Sequence, residues 1–426
     1  MQTQFTNKQI LFLTGAGLVV GLIALVLTGV LPGKRVQETQ IAELEIWGID
    51  SEAVWKDVIK GFESTYPGVD VSYRKFSHSS YEDSLINGLA AGNGPDILFF
   101  DNNWLLQHRD KIVPLPTTKM GLTTLNTLFP QTIEKDFVID GRIYALPLYI
   151  DTLFLAYNRN HFDQAGIVAP PTTWAELEEN IKDLKITNEK GLERAAFAIG
   201  GSSASVKNAP DILKLILMQA GAPMVNSKLS QADIYSGDRV DVFSGYTAYA
   251  DPKSSTYTWD NDTRDNLDAF AKGDVSGVFV YSRQLEEIRS KNSLLDIGIG
   301  SMPQATSQAI NYPDYYGLAV SNKSKDPSIA WDFIIYATTD KQSASYYQSA
   351  MDLPPALRFL IGELKNESGR IGILARQALT AKSWLQPNQK AFDGYFDQAI
   401  ESVLDETLKA RDALERLQKQ TTELYR

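Results

Sequence analysis

Apolar positions recur along this chain at two spacings. Leu44-Glu45-Ile46-Trp47-Gly48 alternates apolar and polar, the two-residue period of a half-buried strand. Val54, Trp55, Val58, Ile59 and Phe62 then repeat at helical spacing behind a capping Ser51, and Tyr66-Pro67-Gly68 stops that helix. Val69 to Tyr73 predicts a second strand and Ser80 to Ala91 a second helix, closed by Gly92-Asn93-Gly94-Pro95. Asp96 to Asp101 predicts a buried strand that ends on an acid. Strand signals return at Gly141 to Pro147, Thr152 to Asn158, Gly191 to Gly201, Val275 to Tyr281, Ile297 to Gly300 and Gly317 to Val320. Helices fall between them, one opened by a capping box from Thr173 to Glu176. From Ile329 onward the chain reads as nearly all helix. Strands alternating with helices predict an α/β fold with mostly parallel sheets covered on both faces.

Ahead of this pattern the periodicity vanishes. Ile10 to Leu31 is apolar on every face and carries no charge. As a helix it spans roughly 33 Å, enough for a bilayer core. No small-x-small cleavage site follows it, so it reads as an uncleaved transmembrane anchor rather than a cleaved signal. Residues 1–9 are then a short tail and 32–43 a polar linker. Lys8 on one side and Lys34 and Arg35 on the other do not fix the orientation.

Composition narrows the function. The part after the linker is too long for one hydrophobic core, so two lobes are expected. A formal net charge of −11 argues against nucleic acid as a partner. The absence of cysteine removes disulfides, thiolate nucleophiles, cysteine metal sites and any lipid-modified cysteine tether. No cofactor motif is present.

In open α/β sheets, ligands sit beyond the carboxyl ends of the strands. Here those ends read Trp47 to Asp50, Asp101 to Trp104, Tyr149 to Asp151, Tyr281 to Arg283, and Tyr315 to Gly317. Each sets an aromatic ring beside a hydrogen-bonding group. Rings cover the apolar faces of a sugar, and Asp, Asn and Arg satisfy its hydroxyl rim. The candidate ligand-binding residues are Trp47, Asp50, Asn103, Trp104, Tyr149, Asp151, Tyr281, Arg283, Tyr315, Tyr316 and Trp384. Packing inside or between lobes is the alternative role for any one ring, and it applies equally to Tyr257 and Trp259.

Several short segments occur in a telling order: Gly94-Pro95-Asp96-Ile97, Gly141 to Pro147, Tyr157-Asn158-Arg159, Pro171 to Leu177, Phe270 to Gly277, Met302-Pro303, Tyr316 to Ser321 and Ala330 to Ile334. Through this series the chain from Leu44 onward resembles the extracellular solute-binding proteins of ABC importers, a large family with sugar-binding, maltose-binding-like members. The resemblance implies a two-lobe periplasmic-binding-protein fold, α/β in class, with a ligand cleft and a hinge. The lobes would comprise 44–147 plus 317–368, and 148–316 plus 369–426. Crossings would fall near Pro147 to Asp151, near Tyr312 to Tyr316, and near residue 370. The expected partners are a small polar solute, with a carbohydrate first in line, the permease subunits of an importer, and the bilayer through residues 10–31. The lobes would then lie on the extracytoplasmic side, because a capture domain must face the solute.

Two rival readings remain at this point. A glycan hydrolase needs two carboxylates flanking a cleft, and Asp101 and Asp151 are available. The histidines, His78, His108 and His161, are scattered, with neither HExxH nor G-x-S-x-G in the chain, and an enzyme is not expected. A sensor subunit would present the same binding lobes.

Overall fold

The computed structural model describes residues 41–189, 191–261 and 265–426. The run from Ile10 to Leu31 lies outside the described residues. Among those described, no helix is long and apolar enough to cross a membrane.

Eleven strands build two sheets: β1 (Ala42–Gly48), β2 (Val69–Lys75), β3 (Ile97–Asp101), β4 (Ile112–Val113), β5 (Leu146–Pro147), β6 (Phe154–Asn158), β7 (Ile186–Asn188), β8 (Gly191–Ala198), β9 (Val275–Val280), β10 (Ile297–Gly300) and β11 (Tyr316–Ser321). The first sheet runs β2-β1-β3-β11-β4, with β5 also paired to β11. The second runs β7-β8-β9-β6-β10. Each sheet is the floor of one lobe.

The expectation of mostly parallel sheets needs correcting. In the first sheet β2, β1 and β3 are parallel, but β11 enters antiparallel to β3. In the second, β8 and β9 are parallel while β6 runs antiparallel to both β9 and β10. The physical reason is the path of the chain. The reversed strands β6 and β11 are those that follow a passage between lobes, so they enter their sheets from the opposite end to the strands of a local β-α-β unit.

The first two passages lie side by side. Asp151–Thr152 pairs antiparallel with Pro313–Asp314, a two-stranded ladder between the sheets. Gln377, on the helix Gly369–Ala378, ties this ladder down. Its side-chain amide donates to Thr152 Oγ1 at 2.7 Å and to the Leu153 carbonyl at 2.8 Å, and its Oε1 accepts the Met302 N–H at 2.8 Å.

Each lobe has its own aromatic core. In the first, Trp55 packs on Phe99 (ring centroids 5.7 Å) and Phe333 (6.3 Å), with Phe62 edge-on to Phe333 at 5.0 Å. In the second, the Phe162 ring packs edge-on to Phe197 at 6.4 Å, and Phe279 and Leu177 are fully buried. Each such side chain contributes about 1.5–3 kcal/mol by leaving water. The capping box at Thr173 and Glu176 is present with both reciprocal bonds. Ser51 precedes its helix but makes no side-chain cap bond.

Candidate functional site

Strand direction decides which residues reach the cleft. β3 ends at Asp101, and Tyr316, at the start of antiparallel β11, is its register partner. Tyr316 therefore sits at the same sheet edge as the carboxyl end of β3, although it begins its own strand. Successive strand residues point to opposite faces, so Tyr315 turns inward. Its hydroxyl donates to Asp136 Oδ2 at 2.6 Å inside the first lobe.

Helix starts complete the rim. His78 begins the helix His78–Ala91, and Asn208 precedes Ala209–Gln219. Tyr281 caps Ser282–Lys291, and Gln389 opens Gln389–Leu404. All four residues line one cavity of about 340 Å³ between the lobes, together with Asp101, Asn103, Trp104, Asp211, Arg283, Asp314 and Tyr316. That volume falls within the range of small-ligand sites. A second cavity of about 310 Å³ adjoins it and shares His78, Arg283 and Asp314; its other walls include Asp50, Tyr149, Asp151 and Arg370. Arg283 Nη2 lies 3.9 Å from Asp314 Oδ2 at this shared boundary.

The first-lobe wall is a ring assembly. Trp104 stacks on Tyr81 (centroids 6.1 Å, 12° between planes) and meets Tyr316 edge-on at 6.1 Å. Tyr81 is held by its hydroxyl, which donates to the Trp47 carbonyl at 2.9 Å or the Phe99 carbonyl at 3.0 Å. The second-lobe wall is ionic. Lys214, fully buried, contacts Asp211 Oδ1 at 3.2 Å and forms a short ion pair with Asp393. Tyr281 donates its hydroxyl to Asp211 Oδ2 at 3.0 Å.

Burial governs the titration of the carboxyls around both cavities. It raises Asp211 to about 6, against the pull of Lys214. Burial, with the Asp314 charge adding, lifts Asp101 well above the usual carboxylate range. Asp151 is pushed up to about 7 and Asp50 to about 6, again chiefly by burial. Burial and then the Arg283 charge lower His78, which favours its neutral imidazole.

The eleven candidates divide accordingly. Asn103, Trp104, Tyr281, Arg283 and Tyr316 line the first cavity. Asp50, Tyr149 and Asp151 line the second, with Arg283 in both. Asp151 has its oxygens engaged by the Ser282 N–H (2.8 Å), the Ser282 hydroxyl (3.1 Å) and the Thr152 N–H (3.0 Å), so it ties the inter-lobe ladder to a helix start. Trp47, Tyr315 and Trp384 line neither cavity. Trp47 is packed under the helix His78–Ala91, where a Cβ on Gly88 would come within 2.6 Å of its ring. Trp384 packs against Tyr312 and Phe392. Trp259 is buried, donating its indole N–H to Ser205 Oγ at 3.1 Å.

Sequence reasoning missed His78, Asn208, Asp211, Asp314, Gln389, Lys390 and Asp393. Except for Asp314, all of these lie at helix starts. Strand-end rules pass over them, but the polar residues at the start of each apolar-periodic helix were a usable signal. Among the described residues no cluster of His, Asp and Glu is arranged to hold a metal.

Two sheets, paired crossings and a polar cavity between lobes define a two-lobe binding-protein architecture. The chain matches the family described as bacterial extracellular solute-binding protein over residues 48–344, and it belongs to that family. Among its relatives, the multiple sugar-binding protein of Streptococcus mutans is 24% identical over 371 residues, 84% of this chain and 85% of that one. The fold is similar to an ABC substrate-binding protein from Listeria monocytogenes in complex with cycloalternan (TM-score 0.72, 16% identity, 90% of this chain and 98% of that one). It is similar also to a solute-binding protein from Thermotoga lettingae bound with α-D-tagatose (TM-score 0.72, 20% identity, 90% of this chain and 100% of that one).

Proposed function

We propose that this protein is the solute-binding subunit of an ABC importer, that it captures a carbohydrate reversibly in the inter-lobe cavity, and that it catalyses no reaction. The observation that carries the reading is the pairing of Trp104, Tyr281 and Tyr316 with a rim of Asp101, Asn103, Asn208, Asp211 and Arg283 around one cavity. Rings can stack on the apolar faces of a pyranose while the rim exchanges hydrogen bonds with its hydroxyls. The sugar-binding relative and the sugar-bound structural neighbours support the same class.

In this reading the lobes comprise 44–147 plus 317–368, and 148–316 plus 369–426. Asp50, Tyr149 and Arg283 extend the site into the second cavity, and Asp151 holds the hinge. Ligand touching both lobes selects the closed form, which the permease recognises. Residues 10–31 anchor the protein in the membrane with the lobes outside, which keeps the binding unit at high local concentration beside its permease. Thermal-shift measurements on the part from Gln37 onward, against sugars, amino acids, peptides and polyamines, test the reading. Stabilisation by sugars is expected. Stabilisation by peptides or polyamines alone contradicts the carbohydrate assignment.

A further inference from the structure

The charges around the first cavity do not balance, and the imbalance has a location. Most of its carboxylates have a cation. Asp211 and Asp393 share buried Lys214. Glu82 holds Lys390 at 2.9 Å and contacts His108 at 3.1 Å. Asp314 faces Arg283. Asp83 is exposed to solvent. Asp101 differs from all of these. It is 6% exposed, it accepts the Asn103 N–H at 2.8 Å, and among the described residues no cation lies within ion-pair distance of it. Burial favours the protonated form of such a carboxyl, and a cation seated beside it restores the charged form.

The surroundings favour a cation. Trp104 and Tyr316 flank Asp101 with their rings at right angles, and aromatic faces attract ammonium groups. Arg283, which carries positive charge into the cavity, is drawn to Asp314. The formal net charge of −11 adds a field that steers cations toward the protein. Neutral hydroxyls would exchange hydrogen bonds with Asp101 in its protonated form, with no ion pair to gain. A sugar ammonium supplies donors and charge together.

We infer that the cleft is built for an amino sugar, a saccharide carrying a free ammonium group, with that group seated on Asp101 beside Trp104 and Tyr316. The inference rests on the carbohydrate reading above and specifies its substrate class.

The test is calorimetric titration of the protein at about pH 6.5, where a sugar amine is charged, with matched disaccharides. The probes are the β-1,4 glucosamine disaccharide, its N,N′-diacetyl form and cellobiose, with galactosamine against galactose as a second pair. At least about tenfold tighter binding of an amine form than of its hydroxyl and acetamido counterparts is expected, a difference of about 1.4 kcal/mol. Asp101→Asn should bring the forms within about threefold of one another. The preference in the unaltered protein stands as a test even if that variant does not fold. Equal or tighter binding of the neutral forms overturns the inference and leaves the carbohydrate reading intact. A preference that survives Asp101→Asn overturns the assignment to Asp101. Binding of no sugar, charged or neutral, overturns the inference and the carbohydrate reading together.

Discussion

The two walls of the cleft are built from different physics. On the first lobe, Trp104, Tyr81 and Tyr316 form a stacked and edge-on ring assembly. On the second, Lys214 draws Asp211 and Asp393 together from two helices, and Tyr281 hydrogen-bonds to the first of them. The ring packing stays within one lobe. The ionic wall is also internal to its lobe, but its stability depends on one buried cation. The first wall therefore offers shape and contact area, and the second fixes where polar groups point.

The largest expected effect separates the walls by stability. Lys214→Met leaves Asp211 and Asp393 without their cation, and should cost about 3–5 kcal/mol in urea unfolding. A cost below about 1 kcal/mol would mean that the pair takes up protons instead of holding Lys214 as its counter-ion. Next comes Trp104→Ala. It should weaken sugar binding more than tenfold and lower stability by about 3 kcal/mol, the scale for truncating a large buried ring. Lost stability with unchanged affinity would reduce Trp104 to packing.

A third expectation concerns pH. Asp50 and Asp211 titrate near 6, and Asp136 and Asp151 near 7, all above their ordinary value of 3.8. The folded protein thus binds more protons than the unfolded chain between these values, so stability falls as pH rises through the window. Melting temperature should be higher near pH 5 than near pH 8, by on the order of a few degrees. Asp136→Asn should flatten part of that slope, because it removes a carboxyl that burial lifts to about 7 against the hydrogen bonds from Ser383, Tyr315 and Thr132. A melting temperature that rises steadily from pH 5 to 8 would contradict the assignment.

The smallest effect belongs to the cleft mouth, where Lys390 of the second lobe meets Glu82 of the first. Lys390 is largely exposed, so a double-mutant cycle with Glu82→Gln and Lys390→Met should give a coupling of about 0.2–1 kcal/mol. It should fall with added salt.

The same contrast explains what could be read from the sequence. The alternation at Leu44 to Gly48, the Thr173–Glu176 box and the buried run to Asp101 are local signals, and the structure places strands and a capped helix there. The ring wall was legible in Trp104 and Tyr316, since both stand beside strand ends. Tyr315 lines neither cavity, because strand alternation, together with the reversal of β11, decides which of two adjacent tyrosines faces the cleft. Trp47 and Trp384 line neither cavity, because their rings meet neighbours remote in sequence, Gly88 and Tyr312. The ionic wall was not legible at all. Lys214 sits within an apolar helix and meets Asp393, 179 residues away, only after folding. Parallel and antiparallel pairing was misjudged for a similar reason, since it depends on where the chain passes between lobes.

Hydrogen–deuterium exchange, with and without a bound sugar, reads out directly whether the inter-lobe cavity holds the ligand. Protection is expected at the helix starts His78 to Glu82, Asn208 to Asp211, Tyr281 to Gln284 and Gln389 to Asp393, and around Asp101 to Trp104. A separate cavity of about 480 Å³, lined by Gln131, Met218, Ala222 and Lys382, is the control region. Protection there, with none at the helix starts, would contradict binding in the cleft.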